Sequence, residues 1–224
     1  MRITCCQALL LLLPLLLFFP STADPDLLLD FCVADTSATA QSNVHLNGHP
    51  CIDPASATSA HFATSALSKP PPSASASLFG FAVTTTNATT LPGGNAQGLA
   101  MSRADIAAGG LVPPHAHPRA SESALLLQGE LLVGFVDTSY RLYTQQLRPG
   151  DAFVFPRGLV HFLYNIDVAT PAVVLSGFNS QNPGVQLAPI ALFRTEPRFP
   201  DEVLKKAFKI SGQDVQRIHK NLGG

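Results

Sequence analysis

The sequence predicts an all-β fold, a sandwich or closed barrel, finished by two short C-terminal helices. Three observations carry this. From about Leu78 onward, short apolar runs recur with Gly- and Pro-containing turns between them, the mark of many short strands. Over Asp201–Lys209, by contrast, Val203, Leu204, Ala207 and Phe208 fall at helical spacing. The third is length: a leader of 23 residues taken from 224 leaves about 200, which suits one domain with a sizeable core. Closing the sheet would also hide its strand edges.

The chain opens with Arg2, an apolar run from Ala8 to Phe19, and then Pro20-Ser21-Thr22-Ala23. A basic start, a short apolar core and small residues describe a secretory leader, with cleavage expected after Ala23. The run is shorter than the ~20 residues of a membrane span, so no membrane span is expected. The predicted organisation is a leader over 1–23 and a single domain over 24–224. Within that domain, 24–77 forms an N-terminal arm, 78–195 the barrel and 196–224 the helices.

Cys5 and Cys6 leave with the leader. Cys32 and Cys51 remain as an even pair in a secreted chain, and a disulfide between them is the natural inference. The arm is Ala/Ser/Thr/Pro-rich, and Ser65–Ser77, with Pro70-Pro71-Pro72, reads as irregular. The disulfide argues for an ordered arm laid on the barrel. Asn87-Ala88-Thr89 is a glycosylation sequon in a threonine run before Pro92-Gly93-Gly94, hence an exposed loop.

Leu125–Val136 reads as the clearest strand pair, turning at Gly129-Glu130. Tyr140–Leu147 alternates and ends at Pro149-Gly150-Asp151; strands follow over Ala152–Phe155, Phe162–Ile166, Ala172–Phe178 and Val185–Leu192. Ser211-Gly212-Gln213-Asp214 forms a capping-box pattern opening a last helix to about Leu222, its apolar face Val215, Ile218 and Leu222. With 14 Lys and Arg against 15 Asp and Glu, scattered without a basic stripe, nucleic acid is excluded as the expected partner.

Chemistry concentrates in two segments. One is Pro113-Pro114-His115-Ala116-His117-Pro118-Arg119-Ala120-Ser121-Glu122; the other is Phe155-Pro156-Arg157-Gly158-Leu159-Val160-His161. His115 and His117 share one face of a strand. Glu122 is an odd number of residues away and needs a bulge or kink at Pro118 to reach that face. His161 comes from a separate hairpin between Gly150 and Pro156-Arg157-Gly158. Three imidazoles and one carboxylate suffice for a divalent metal with positions left for water or substrate. His45, His49, His61 and His219 read as ordinary core or surface histidines.

The two segments resemble the signature boxes of the cupin superfamily: a Gly before His-x-His, the Glu, a closing Gly129, then Gly150, Pro156, Gly158, His161 and Asn165. The wider text is similar to the plant germin-like proteins. It includes Pro114-His115-Ala116-His117-Pro118-Arg119, Ser180-Gln181-Asn182-Pro183-Gly184 and Asp30-Phe31-Cys32-Val33-Ala34-Asp35. The resemblance covers essentially the whole mature chain.

It implies a cupin (jelly-roll) β-barrel and one manganese ion per subunit on His115, His117, Glu122 and His161. It also implies an N-terminal disulfide of the Cys32–Cys51 kind, and hexamers built as trimers of dimers in the apoplast or cell wall. Ligand type alone does not select manganese, because imidazole-rich sites hold copper, nickel and zinc more tightly. Asn165 and Phe162 are expected as second-layer or packing residues, with core filling preferred for Phe162.

The activities that go with the resemblance are superoxide dismutation, with a role in plant defence, and oxidation of oxalate to carbon dioxide and hydrogen peroxide. The oxalate oxidases carry asparagine just before the equivalent of Arg103 and just before the Pro-Pro. Here those positions are Ser102 and Val112, which remove polar grip on a dicarboxylate. Superoxide dismutase without oxalate oxidase activity is therefore the leading expectation. A non-catalytic storage, receptor or wall-associated cupin with a structural metal is the alternative. Sugar-nucleotide hydrolysis ranks low, since no phosphate cradle is present.

Overall fold

The structure, a computed structural model of the chain, describes residues 29–37, 48–71 and 77–223. The expected leader over 1–23 with Cys5 and Cys6, His45, and part of the expected arm lie outside the described residues. Among the described residues ten strands and three α-helices follow one another. They are β1 (Phe81–Thr85), β2 (Ala100–Ile106), β3 (Leu111–Ala116), β4 (Glu122–Gln128), β5 (Leu131–Val136), β6 (Leu142–Leu147), β7 (Ala152–Phe155), β8 (His161–Asn165), β9 (Ala172–Phe178) and β10 (Gln186–Leu187). The helices are α1 (Ala188–Phe193), α2 (Asp201–Phe208) and α3 (Gly212–Asn221).

The strands form two five-stranded sheets, ordered β1-β2-β9-β4-β7 and β10-β3-β8-β5-β6, and every pairing within them is antiparallel. The expected all-β fold is what the chain forms. Period-2 burial explains why: in β9, Ala172, Val174, Ser176 and Phe178 are buried while the residues between are half-exposed. The inward residues of both sheets make one core around Ile106, Leu126, Leu131, Val133, Phe155 and Val174. Fully burying a side chain such as Phe155 contributes roughly 1.5–3 kcal/mol.

Two expected hairpins are corrected. Leu125–Val136 is not a strand pair: β4 belongs to the first sheet and β5 to the second, so Gly129-Glu130 carries the chain across the barrel. Gly129 has φ +88°, and a Cβ there would stand 2.7 Å from the Ala172 Cα, so only glycine suits the crossing. Likewise β7 and β8 lie in opposite sheets, and Pro156-Arg157-Gly158 is a crossing rather than a hairpin turn. Alternating apolar residues report that a strand is half-buried; they do not report its partner.

The expected strand over Val185–Leu192 is also corrected. Only Gln186–Leu187 pairs, and Ala188–Phe193 is helical. Leu187 to Phe193 is apolar except for Pro189, so it shows no period of two. Pro189 sits in the helix's first turn, where its missing N–H is no loss.

At the C-terminus the expectations hold. Ser211 and Asp214 form the capping box of α3, with the Ser211 Oγ accepting from the Asp214 N–H. Hydrogen bonds from Ser211 hold the Asp214 carboxyl below its ordinary value. Leu204, Val215 and Phe193 make a small second core, with Ile218 and Leu222 against it. Among the described residues no helix is long and apolar enough to cross a membrane.

The Cys32–Cys51 disulfide forms. Ala34 and Cys51 make an isolated antiparallel bridge, and the Ala34 N–H donates to the Pro92 carbonyl at 3.0 Å. Buried Asn95 closes the arrangement: its Nδ2 donates to the His49 carbonyl at 2.8 Å and its Oδ1 accepts from the His49 N–H at 2.9 Å.

The cysteines are 19 residues apart, and closing such a loop stabilises by about 3 kcal/mol on the chain-entropy picture. Replacing both, as Cys32→Ser with Cys51→Ser, should lower unfolding stability by that order in denaturant titration. An unchanged midpoint would mean that the Asn95 contacts alone hold the segment.

Candidate metal centre

β3 and β8 are neighbours in the second sheet, and their register sets His115 directly opposite His161. That register slips between Val112 and His115, where Pro113 and Pro114 have no N–H to give the ladder. That irregularity sits before the histidines; the break expected at Pro118 is a turn between the sheets rather than a bulge within one strand. His117 follows the end of β3, and the chain turns through Pro118–Ala120 with the Gly158 N–H donating to the His117 carbonyl at 3.1 Å. It then enters β4 on the opposite sheet. Glu122 therefore reaches the histidines by facing them across the barrel, not by being re-aimed on a bulged strand.

The register of β4 builds the walls. Glu122 pairs with Phe178 on one side and Phe155 on the other. Phe178 lies edge-on to His117 with ring centroids 4.9 Å apart, and Phe155 stacks on His161 at 4.3 Å. All four predicted residues are buried, and their ligand atoms lie within 4.8 Å of one another. The structure brings together every residue of the expected metal set.

Each imidazole is oriented by a backbone carbonyl at Nδ1. His115 meets the Pro113 oxygen at 2.9 Å and His161 the Leu159 oxygen at 2.8 Å, each two residues back along the chain. His117 meets the Gly184 oxygen from a distant loop. A carbonyl only accepts, so each Nδ1 carries a proton and each Nε2 is left to face the centre.

The Glu122 Oε2 lies 3.0 Å from the His117 Nε2 and 3.3 Å from the His161 Nε2. In neutral rings those nitrogens are lone pairs aimed at a carboxylate oxygen, an arrangement that calls for a cation, either a proton or a metal ion. The donor set fits a divalent metal: three neutral nitrogens and one anionic oxygen on buried side chains.

The electrostatics agree. Burial, with His161 alongside, pushes the His115 imidazole down to about 3, so it is neutral and ready to ligate. For His117, burial opposes charge, but the hydrogen bonds to Glu122 and Gly184 outweigh it and raise the ring above its ordinary value. Burial would raise the Glu122 carboxyl, yet hydrogen bonds from His117, His161 and Ser176 hold it well below the usual carboxylate range. A metal held by these residues would take the place of the proton between His117 and Glu122.

Ser176 is the site residue that sequence reasoning missed. Its Oγ donates to the Glu122 Oε1 at 2.7 Å, leaving Oε2 for the centre. The signal was available: in Ala172–Phe178 it is the one hydroxyl among the inward-facing positions.

Of the two residues expected in the second layer or in packing, Asn165 is a packing residue: it is fully buried and donates to the carbonyls of Ala107 and Thr170, at 2.9 and 2.8 Å, tying loops together away from the centre. The preference for core filling at Phe162 is corrected. Phe162 is half-buried on the outward face of β8, against Gly134, and does not fill the core. His49 and His61 lie in the N-terminal segment, and buried His219 joins α3 to the Phe193 carbonyl through Nδ1 at 2.6 Å.

A cavity of about 390 Å³ opens over His115, His117 and Glu122 and includes both Ser102 and Val112 in its wall. Asn87 is exposed at its rim, in the turn after β1. Removing the Ser176 hydroxyl should loosen Glu122 without touching a ligand. We expect Ser176→Ala to keep its fold and to lose about 10–100-fold in metal affinity, the usual effect of an outer partner, measured by competition with a chelator.

Comparison with known proteins agrees with this geometry. Residues 65–216 match the family model described as Cupin. Germin-like protein 3-1 of Oryza sativa subsp. japonica is 70% identical over 203 residues, 90% of each chain. Germin-like protein subfamily 1 member 1 of Arabidopsis thaliana is 51% identical over 202 residues, 90% of this chain and 92% of that one. Among solved structures, a recombinant oxalate oxidase in complex with glycolate superposes with a TM-score of 0.82 at 40% identity, covering 89% of this chain and 98% of that one. With the family model spanning most of the barrel and such relatives aligned along nine-tenths of its length, the chain belongs to the germin family of the cupin superfamily.

Proposed function

We propose that this chain is a secreted manganese protein that dismutates superoxide in the apoplast, with a role in plant defence. The observation that carries the reading is the buried cluster of His115, His117, Glu122 and His161, with three imidazoles turned to present Nε2 to one centre. Manganese bound there would supply one-electron cycling between its divalent and trivalent states.

The protein's own residues set the terms of that cycling. With three neutral imidazoles and one carboxylate, a divalent ion leaves a centre of charge +1 and a trivalent ion one of +2. A single anionic ligand eases oxidation without fixing the metal in the higher state. Ser176 holds Glu122 in place, and the rings of Phe155 and Phe178 pack against His161 and His117. Two superoxide ions and two protons then give dioxygen and hydrogen peroxide.

The leader pattern over 1–23, the Cys32–Cys51 disulfide and exposed Asn87 support a secreted glycoprotein. The assembly proposed from family membership is a hexamer with one manganese per subunit. Oxalate oxidase activity is not proposed. The two cavity positions where the oxalate oxidases carry asparagine hold Ser102 and Val112, and a valine side chain has no hydrogen bond to offer a dicarboxylate.

The deciding measurement is dismutase rate per bound manganese on secreted, glycosylated protein against free manganese at equal concentration. A rate well above the free ion is expected, as is loss of both metal and activity in His117→Ala. A rate no better than the free ion would make the metal structural and the protein a storage, receptor or wall-associated cupin. Pure protein should release no peroxide from oxalate; robust release would overturn the assignment of Ser102 and Val112.

A further inference from the structure

The cavity above the centre is far larger than a diatomic ion requires. Its volume, about 390 Å³, equals that of some thirteen waters at about 30 Å³ each, and lies within the range of small-molecule sites, about 300–1,000 Å³. Its wall is mostly carbon, from Phe81, Val83, Val112, Leu163, Phe178 and Leu187. Among the described residues no Lys or Arg lines it. Arg103, nearest in sequence, faces the other side of β2 and is held in a fork by Asp105 at 2.8 and 2.9 Å. Arg119 spends its guanidinium on Asn182 behind the wall.

From this we propose that the cavity binds a small organic monoanion with an apolar body, such as an alkyl monocarboxylate, its charged end at the His115–His117–Glu122–His161 centre and its carbon chain along the Val83, Leu163 and Phe178 wall. The inference rests on that cluster holding a divalent metal.

Charge balance gives the class of the head. A divalent ion with one carboxylate ligand carries +1, which one negative charge neutralises. A dianion would leave a second carboxylate buried among Val112, Leu163 and Phe178 with no cation to meet it, and an unpaired buried charge is strongly unfavourable. The wall's hydroxyls carry no charge to neutralise it, and two of them are engaged: Thr86 Oγ1 donates to the Met101 carbonyl at 3.2 Å, and Ser176 Oγ to Glu122. The apolar wall gives the class of the tail, because each methylene taken from water there adds affinity.

The test is calorimetric titration of the manganese-loaded, glycosylated protein, its metal content measured beforehand, with acetate, butyrate, hexanoate and oxalate. Hexanoate should bind about tenfold or more tighter than acetate, the return expected for several partly buried methylenes, with butyrate between and oxalate weaker than hexanoate. Val83→Ser, at the half-open rim and not a ligand, should weaken hexanoate several-fold more than acetate. Affinity independent of chain length, oxalate as the tightest binder, or the same ladder on metal-free protein would each overturn the proposal. Its failure stays separate from that of the dismutase reading, which is judged by superoxide turnover: a protein no faster than free manganese that still shows the ladder keeps this site and loses that activity.

Discussion

The Nδ1 hydrogen bonds from His115, His117 and His161 to the carbonyls of Pro113, Gly184 and Leu159 turn three Nε2 atoms onto the Oε2 of Glu122. Without them each ring could flip and turn its Cε1–H toward the centre in place of Nε2, or take the tautomer whose proton sits on Nε2, and neither can ligate. Two of these carbonyls are local. A histidine whose ring folds back two residues along its own chain needs only a kinked approach, and Pro113-Pro114 and Pro156-Arg157-Gly158 provide one before each. The third, from Gly184, depends on the fold, since that loop must return from the far end of β9.

Glu122 couples this arrangement to the barrel. It belongs to the sheet opposite the histidines, so the four ligands meet only when the two sheets face each other. The same register that aims Glu122 inward places Phe178 and Phe155 beside it. Carboxylate and aromatic walls are one structural event. This is also why the carboxylate stays ionised despite its burial: hydrogen bonds from His117, His161 and Ser176 outweigh the cost of burying it.

The ligands were legible in the sequence because their spacing, with prolines and glycines around them, is dense and local. So were the capping box at Ser211 and the disulfide. What the sequence did not disclose was partnership. Leu125–Val136 read as a hairpin because both halves alternate, and alternation states only that one face of each is buried. The route of Glu122 was misjudged for the same reason: a crossing between sheets and a bulge on one strand give the same string of letters. Ser176 escaped notice because a serine among valines acquires meaning only when β9 is laid beside β4.

The loop that supplies the Gly184 carbonyl is fixed from two directions. Arg119 forks onto the Asn182 carbonyl and side chain at 2.7 and 2.9 Å, and Gln181 Oε1 accepts from the Ala96 N–H at 2.6 Å. Next to Ala96 is Asn95, which binds the His49 backbone and donates to the Cys32 sulfur at 3.1 Å. Gly48 fits there only as glycine, since a Cβ would come within 2.4 Å of the Asn95 Oδ1. The disulfide-closed segment, Asn95 and the loop before Gly184 thus form one contiguous set of contacts ending at a ring that aims at the centre. The described part of the N-terminal segment, which contributes no residue to the His115–His117–Glu122–His161 cluster, therefore bears on that centre through the position of a single carbonyl oxygen.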